Sequence, residues 1–80
     1  MISYISIYLF PDTITFLKKD TSLIAKIEKD THTTLKIIAK KYDPSVTIEG
    51  QFEDVHKVRI ILQELEKNNY REMYINKNYN

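Results

Sequence analysis

Residues 22–37 read SLIAKIEKDTHTTLKI, and the spacing of their apolar residues changes halfway along. From Leu23 to Ile27 the apolar residues recur at the three-to-four-residue spacing that is typical of one helix face. From Leu35 to Ile37 apolar and polar residues alternate, which is typical of a strand with one covered face. The stretch therefore predicts a helix followed directly by a strand.

The elements before this stretch are predicted from alternation and capping. The run ISYISIYLF (2–10) alternates and is rich in β-branched and aromatic residues, so it predicts a strand that is covered on both faces. A proline ends this strand, and Asp12 is predicted to cap a short helix over 13–19. Thr21 or Ser22 is predicted as the N-cap of the second helix.

The elements after it complete the order. A strand over 33–40, a YDPS turn at 42–45 and a return strand over 45–49 predict a hairpin. Gly50 is predicted to mark the break before the last helix, 52–68, where a positive φ or a close backbone approach is most useful. The prediction is an α+β fold in the order β-α-α-β-β-α, a three-stranded antiparallel sheet with three helices packed on one face.

Length and composition suit one small domain. The 80 residues are 42% hydrophobic, which favours a core over disorder. There is no cysteine, so disulfides and thiolate sites are excluded. We predict a domain over 1–67 and a C-terminal tail over 68–80, which lacks a helical period and could be held by a partner.

The charge is balanced overall but uneven along the chain. The net charge is +1, yet residues 18–41 hold seven lysines against three acidic residues, a net +4. Residues 43–66 hold two basic against six acidic residues, a net −4. A basic segment of this kind can meet phosphate, and the alternative is an ordinary solvated lysine face.

The order of elements and several residues resemble the eukaryotic-type (type I) KH domain over roughly residues 3–66. Six residues fall on the family's serine, isoleucine, threonine and strand positions: Ser22, Ile24, Ile27, Thr31, Leu35 and Ile37. Residues 46–65 resemble the family's strand, glycine and third helix. The resemblance implies the fold given above and an association with RNA.

The chain departs from this family at its phosphate-binding turn. The four positions of the family's GXXG turn fall on Lys18, Lys19, Asp20 and Thr21, so both glycines are missing, and His32 replaces the glycine usual after the second helix. In the family the glycine backbone approaches the nucleic-acid backbone closely. Asp20 would place a like charge beside phosphate, at a cost of about 4 kcal/mol before screening. The resemblance therefore implies a degenerate turn and weak binding by the usual route.

Direct contact with single-stranded RNA is one hypothesis for function. The resemblance implies a groove that takes about four unpaired nucleotides, with Leu17, Ile24 and Ile37 as its floor. The alternative is that these three residues are simply core, which is the commoner role at such spacing. The candidate RNA-binding residues are Lys18, Lys19, Ile24, Lys26, Lys36, Lys40 and Lys41.

A protein-interaction module in an RNA-associated assembly is the leading hypothesis. The resemblance implies it, because KH-like domains without GXXG often serve in larger RNA-processing or ribosomal assemblies. Exposed tyrosines suit interfaces, and Tyr4 and Tyr8 share one strand face. We expect a protein partner or self-association, with RNA as a second partner class. The candidate partner-binding residues in the tail are Tyr70, Met73, Tyr74 and Ile75.

No group of residues in the sequence indicates catalysis. His32 and His56 are far apart, and Glu28, Glu53 and Asp54 are explained by capping and solvation. We therefore expect no enzymatic activity, no cofactor and no metal site. No stretch approaches the roughly 20 apolar residues that span a bilayer, and the first run lacks the basic leader of a signal peptide. We expect an intracellular protein, in the cytoplasm or the nucleus, without a membrane partner.

Overall fold

The structure, a computed structural model, describes the backbone of residues 1–74 and the side chains of residues 1–69. Its elements are β1 (Ile2–Tyr8), α1 (Pro11–Lys19), α2 (Thr21–Thr31), β2 (Thr34–Ile38), β3 (Ser45–Gln51) and α3 (Phe52–Tyr74). The predicted α+β class and the order β-α-α-β-β-α are confirmed. None of the described helices is long and apolar enough to cross a membrane.

The three strands form one antiparallel sheet in the order β1-β3-β2, so the last strand lies in the middle. Two apolar rows cross the sheet on the side of the helices: Ile5–Ile48–Leu35 and Ile7–Val46–Ile37. Val55, Val58 and Leu62 of α3 are buried in the same core. The helical spacing of these three residues is what lets one face of α3 cover the sheet.

The opposite face of the sheet is open. Tyr4 is 68% exposed and Tyr8 is 73% exposed. The prediction that the first strand is covered on both faces is therefore wrong. The reason is that the core lies entirely on the helix side of the sheet, so alternate residues of β1 meet solvent.

The start of α1 differs from the prediction. Pro11 occupies the first turn and Phe10 is the N-cap, with no side-chain capping bond, so Asp12 lies inside the helix and does not cap it. Proline suits this place because its missing N–H would have no helical partner. The amide of Phe10 instead donates to Oε2 of Glu66 on α3, 2.7 Å away. A contact between distant elements therefore holds the beginning of α1.

The end of α2 lies where the spacing predicts it. His32 follows Thr31 with a left-handed backbone, φ 53° and ψ 43°. The amide of Thr33 donates to the carbonyl of Glu28, which is the longer bond of a Schellman motif, and the amide of His32 donates to the same carbonyl, which is the bond of the simpler αL motif. A histidine thus takes the conformation that glycine usually supplies at a helix end.

Gly50 does not mark a break with a positive φ, because it lies inside β3. Its absent side chain makes room for another residue instead. A Cβ added at Gly50 would lie 2.9 Å from Cγ2 of Thr33 and 3.4 Å from the carbonyl oxygen of His32. The predicted close approach is therefore present, and it is between β3 and the end of α2.

Helix α3 is longer than predicted. It continues to Tyr74, so residues 68–74 are helical and not an irregular tail, and the predicted boundary at 67 falls within a helix. Three predicted partner-binding residues, Tyr70, Met73 and Tyr74, belong to this helix, but their side chains lie outside the described part. Ile75 lies outside the described residues altogether.

Candidate nucleic-acid interface

A cavity of about 290 Å³ opens where α1, α2 and β2 meet. We call it the α2 groove, and its lining residues are Leu17, Lys18, Thr21, Ile24, Ala25, Glu28 and Ile37. It lies where the groove for nucleic acid was predicted. The structure therefore brings together the helix-helix turn, one face of α2 and the middle of β2.

The floor of the α2 groove is apolar. Leu17 is fully buried in the core, while Ile24 and Ile37 are half-buried and pack against that core. The prediction that these residues form the groove floor and the alternative that they are core are therefore compatible, because the surface of the core also lines the groove. Such a floor can take the flat face of a small apolar or aromatic group.

The turn beside the groove consists of one residue. Asp20 is the only residue between α1 and α2, with φ −103° and ψ 73°, and its amide closes α1 by donating to the carbonyl of Phe16, 3.1 Å away. In the described part of the chain, positive φ angles occur only at His32 and Asp43. The absence of glycine from this turn therefore has a local reason, because no residue in it needs a left-handed backbone.

Asp20 also caps α2. Its Oδ1 accepts from the amide of Leu23 at 3.1 Å and from Oγ of Ser22 at 2.8 Å. The prediction of Thr21 or Ser22 as the N-cap is therefore wrong. The N-terminal end of a helix attracts anions through its free amides and its dipole, and here the chain's own carboxylate occupies that place.

A second carboxylate lies in the groove itself. Glu28 lines it and is half-buried, and its Oε2 accepts from the amide of Leu35 at 2.9 Å. This bond joins the last turns of α2 to the start of β2 and satisfies an amide at a free sheet edge. Of the residues that the structure describes, Glu28 and Lys18 are the only charged ones that line the groove, and their opposite charges leave this lining close to neutral.

Most of the predicted lysines lie elsewhere. Of the seven candidate RNA-binding residues, only Lys18 and Ile24 line the α2 groove. Lys36 alternates with Ile37 and pairs with Thr47, so it lies on the open face of the sheet. The others that do not line the groove are Lys19, Lys26, Lys40 and Lys41. The basic character of residues 18–41 is therefore spread over several surfaces.

The positions of these lysines have simple reasons. Lys19 is exposed in the last turn of α1. Lys26 is two residues from Ile24 and from Glu28, and that spacing places it on another side of α2. Lys41 follows β2 and lies with its Nζ 5.7 Å from the ring centroid of Tyr42.

The sequence reasoning missed the capping role of Asp20 and the bond between Glu28 and Leu35. Asp20 could have been found, because aspartate is among the best N-caps and stands directly before the helix. Glu28 carries no such signal, because its partner Leu35 is seven residues away in another element. Among the described residues, no group of three histidine or acidic side chains could hold a metal ion.

Comparisons with protein-family models, with curated proteins and with solved structures gave no match. The fold is therefore described by its own features: the order β-α-α-β-β-α and a three-stranded sheet with its helices on one face.

Proposed function

We propose that the chain is a KH-like domain with a degenerate turn, acting as a non-catalytic module of an RNA-associated assembly. It works mainly through contacts with other proteins, and its contact with RNA is weak or made through non-standard surfaces. The element order and the resemblance over residues 3–66 support the KH-like assignment. The geometry of the α2 groove supports the emphasis on protein contacts.

One observation carries this proposal: the carboxylate of Asp20 caps α2 at the place where a phosphate would bind. A phosphate there would have to displace an acceptor already bonded to Leu23 and Ser22, and it would meet that acceptor's negative charge. Lys18 and Lys19 can attract phosphate, but flexible point charges do not replace a cradle of backbone amides. Recognition of a nucleic-acid backbone at this turn is therefore unfavourable.

Direct binding of single-stranded RNA in the α2 groove is the second candidate. It is favoured by the apolar floor of Ile24 and Ile37 beside Lys18, since unpaired bases stack on apolar side chains while a cation contacts the backbone. The near-neutral balance of Lys18 and Glu28 counts against it, because phosphate contacts supply most of the affinity.

A titration with a short single-stranded oligouridine at two salt concentrations separates the candidates. The matched variants are Lys18→Glu with Lys19→Glu beside the groove and Lys26→Glu with Lys29→Glu on α2 away from it. We expect dissociation constants no tighter than about 10⁻⁴ M near physiological salt, which is the weak end of the range for non-specific contacts, and equal weakening in both variants. Micromolar binding that only the first variant abolishes would establish the second candidate instead.

The tail can be tested separately by ending the chain after Asn69. The α3 residues that belong to the core, Val55, Val58 and Leu62, all precede this point. We expect the shortened chain to keep its circular dichroism spectrum and a cooperative melting transition, while losing any association that depends on residues 70–80. An unfolded product would show that this segment belongs to the domain.

A further inference from the structure

A second cavity, of about 470 Å³, lies between β1 and α3. We call it the β1–α3 groove, and its lining residues are Ser3, Tyr4, Ile5, Phe52, Val55, His56 and Arg59. It shares no residue with the α2 groove. The two cavities lie at opposite edges of the sheet, because β1 and β2 flank the central β3.

The strand beside this groove has a free edge. Within the described residues β1 pairs with β3 alone, so half of its backbone N–H and C=O groups point away from the sheet. Natural edge strands usually carry a lysine, a proline or a bulge that prevents pairing with another chain. The segment Ile2–Tyr8, ISYISIY, has neither charge nor proline, and it pairs with β3 without a bulge. It is therefore competent to accept another strand.

Large apolar side chains are exposed around the same edge. Ile2 is 62% exposed, and Phe52, which lines the groove, is 71% exposed. Tyr4 adds an exposed aromatic ring. Aromatic residues and arginine are enriched at the centres of protein interfaces, where lysine is depleted, and none of the lysines in the described part of the chain lines this groove.

The charge of the groove indicates what kind of strand it takes. Among the described residues, Arg59 and His56 are its only ionisable side chains apart from the tyrosine, and none of the described acidic residues lines it. Arg59 makes no ion pair or hydrogen bond within the described part of the chain. Glu53 and Asp54 line the neighbouring cavity around Met1 and Gln51, which shares Phe52 with this groove. An arginine in this position offers a planar fork that fits a carboxylate.

We propose that the β1–α3 groove binds an extended, acidic peptide segment of a partner protein. The segment pairs with the free edge of β1 as a fourth strand, places an apolar side chain against Phe52 and brings a carboxylate to Arg59. A second copy of this chain fits less well, because Ile2–Tyr8 contains no carboxylate and would leave Arg59 unpaired. The inference rests on the proposed role in protein contacts and names the surface and the partner class.

The test uses a panel of fluorescent eight-residue peptides of alternating valine and threonine. In each peptide one glutamate occupies a different position, and a matched peptide has glutamine there. Binding to the full chain is followed by fluorescence anisotropy. We expect the best glutamate peptide to bind about tenfold tighter than its glutamine twin, the size of one charge-assisted hydrogen bond. Methylation of alternate peptide amides should abolish binding.

Two variants assign this preference to the groove. Arg59→Gln should remove the difference between the paired peptides, while Lys57→Gln, on the same helix but outside the groove, should preserve it. Equal binding of the glutamate and glutamine peptides would overturn the proposal. So would equal effects of the two variants, or no binding at peptide concentrations up to about 1 mM. Sedimentation that shows a dimer, with β1 amides protected from exchange without peptide, would assign the edge to self-pairing instead.

Failure of this proposal is distinguishable from failure of the proposed function. The oligouridine titration probes the α2 groove, which shares no residue with this surface. Weak RNA binding together with no peptide binding would remove only the β1–α3 groove as the contact surface. Tight RNA binding that depends on Lys18 and Lys19 would instead remove the assembly role on which the proposal rests.

Discussion

Replacing Asp20 with alanine tests the helix cap that distinguishes the turn. The variant loses the acceptor for the amide of Leu23, at 3.1 Å, and for Oγ of Ser22, at 2.8 Å. Loss of an N-cap costs about 0.5–2 kcal/mol in proteins. Asp20 is half-exposed, so water can reach the freed amide, and we expect destabilisation by about 1 kcal/mol. For a domain of this size that lowers Tm by about 4–8 °C.

The matched control is Asp20→Asn, which keeps an oxygen acceptor at the same place while removing the charge. Asparagine and aspartate cap helices about equally well, so we expect a free energy of unfolding within about 0.5 kcal/mol of the wild type. Urea denaturation followed by circular dichroism measures both variants, and an unchanged m-value shows that the comparison concerns stability alone. An alanine variant as stable as the wild type would refute the capping role.

Three other substitutions test contacts that hold the fold together. Gly50→Ala should destabilise the domain by about 1–2 kcal/mol, because the new Cβ would lie 2.9 Å from Cγ2 of Thr33. Urea denaturation measures this change, and a gain in stability would contradict the packing. Glu28→Ala should lower the free energy of unfolding by about 1–2 kcal/mol, because the amide of Leu35 loses its acceptor. Hydrogen exchange at this amide should become faster, and an unchanged exchange rate would argue against the bond. His32→Gly should raise Tm, because glycine adopts the left-handed backbone at this position with about 0.5–1 kcal/mol less strain than histidine. A lower Tm would contradict that strain.

The elements were predictable because their signals are local. The switch in apolar spacing across residues 22–37 predicts the end of α2 and the start of β2, and both lie within a residue or two of the prediction. The end of α3 was predicted less well, because the helix continues to Tyr74 and not to residue 68. Residues 68–74 lack apolar spacing, but arginine, glutamate and methionine are good helix formers, so the backbone continues as a helix to Tyr74.

The site was less predictable where its contacts join residues of different elements, whereas the Asp20 cap is local. The bond from Leu35 to Glu28, and that from Phe10 to Glu66, depend on how whole elements pack. The same is true of Lys36, which belongs to a basic segment by sequence but to the open sheet face by strand alternation. Charge counted along the chain therefore overestimated the charge of the groove.

The most direct test of the account is the affinity of the wild type and of Asp20→Asn for one oligouridine at low and at physiological salt. If the carboxylate of Asp20 keeps phosphate from the turn, the wild type binds weakly at both. The variant then binds about fivefold tighter at low salt, because Asp20 is half-exposed and one like charge at about 4 Å costs about 1 kcal/mol in water, less than at the lower dielectric of a protein surface. This gain should shrink at physiological salt, where screening is stronger. Equal affinities of the two proteins, or micromolar binding by the wild type at physiological salt, would contradict the account.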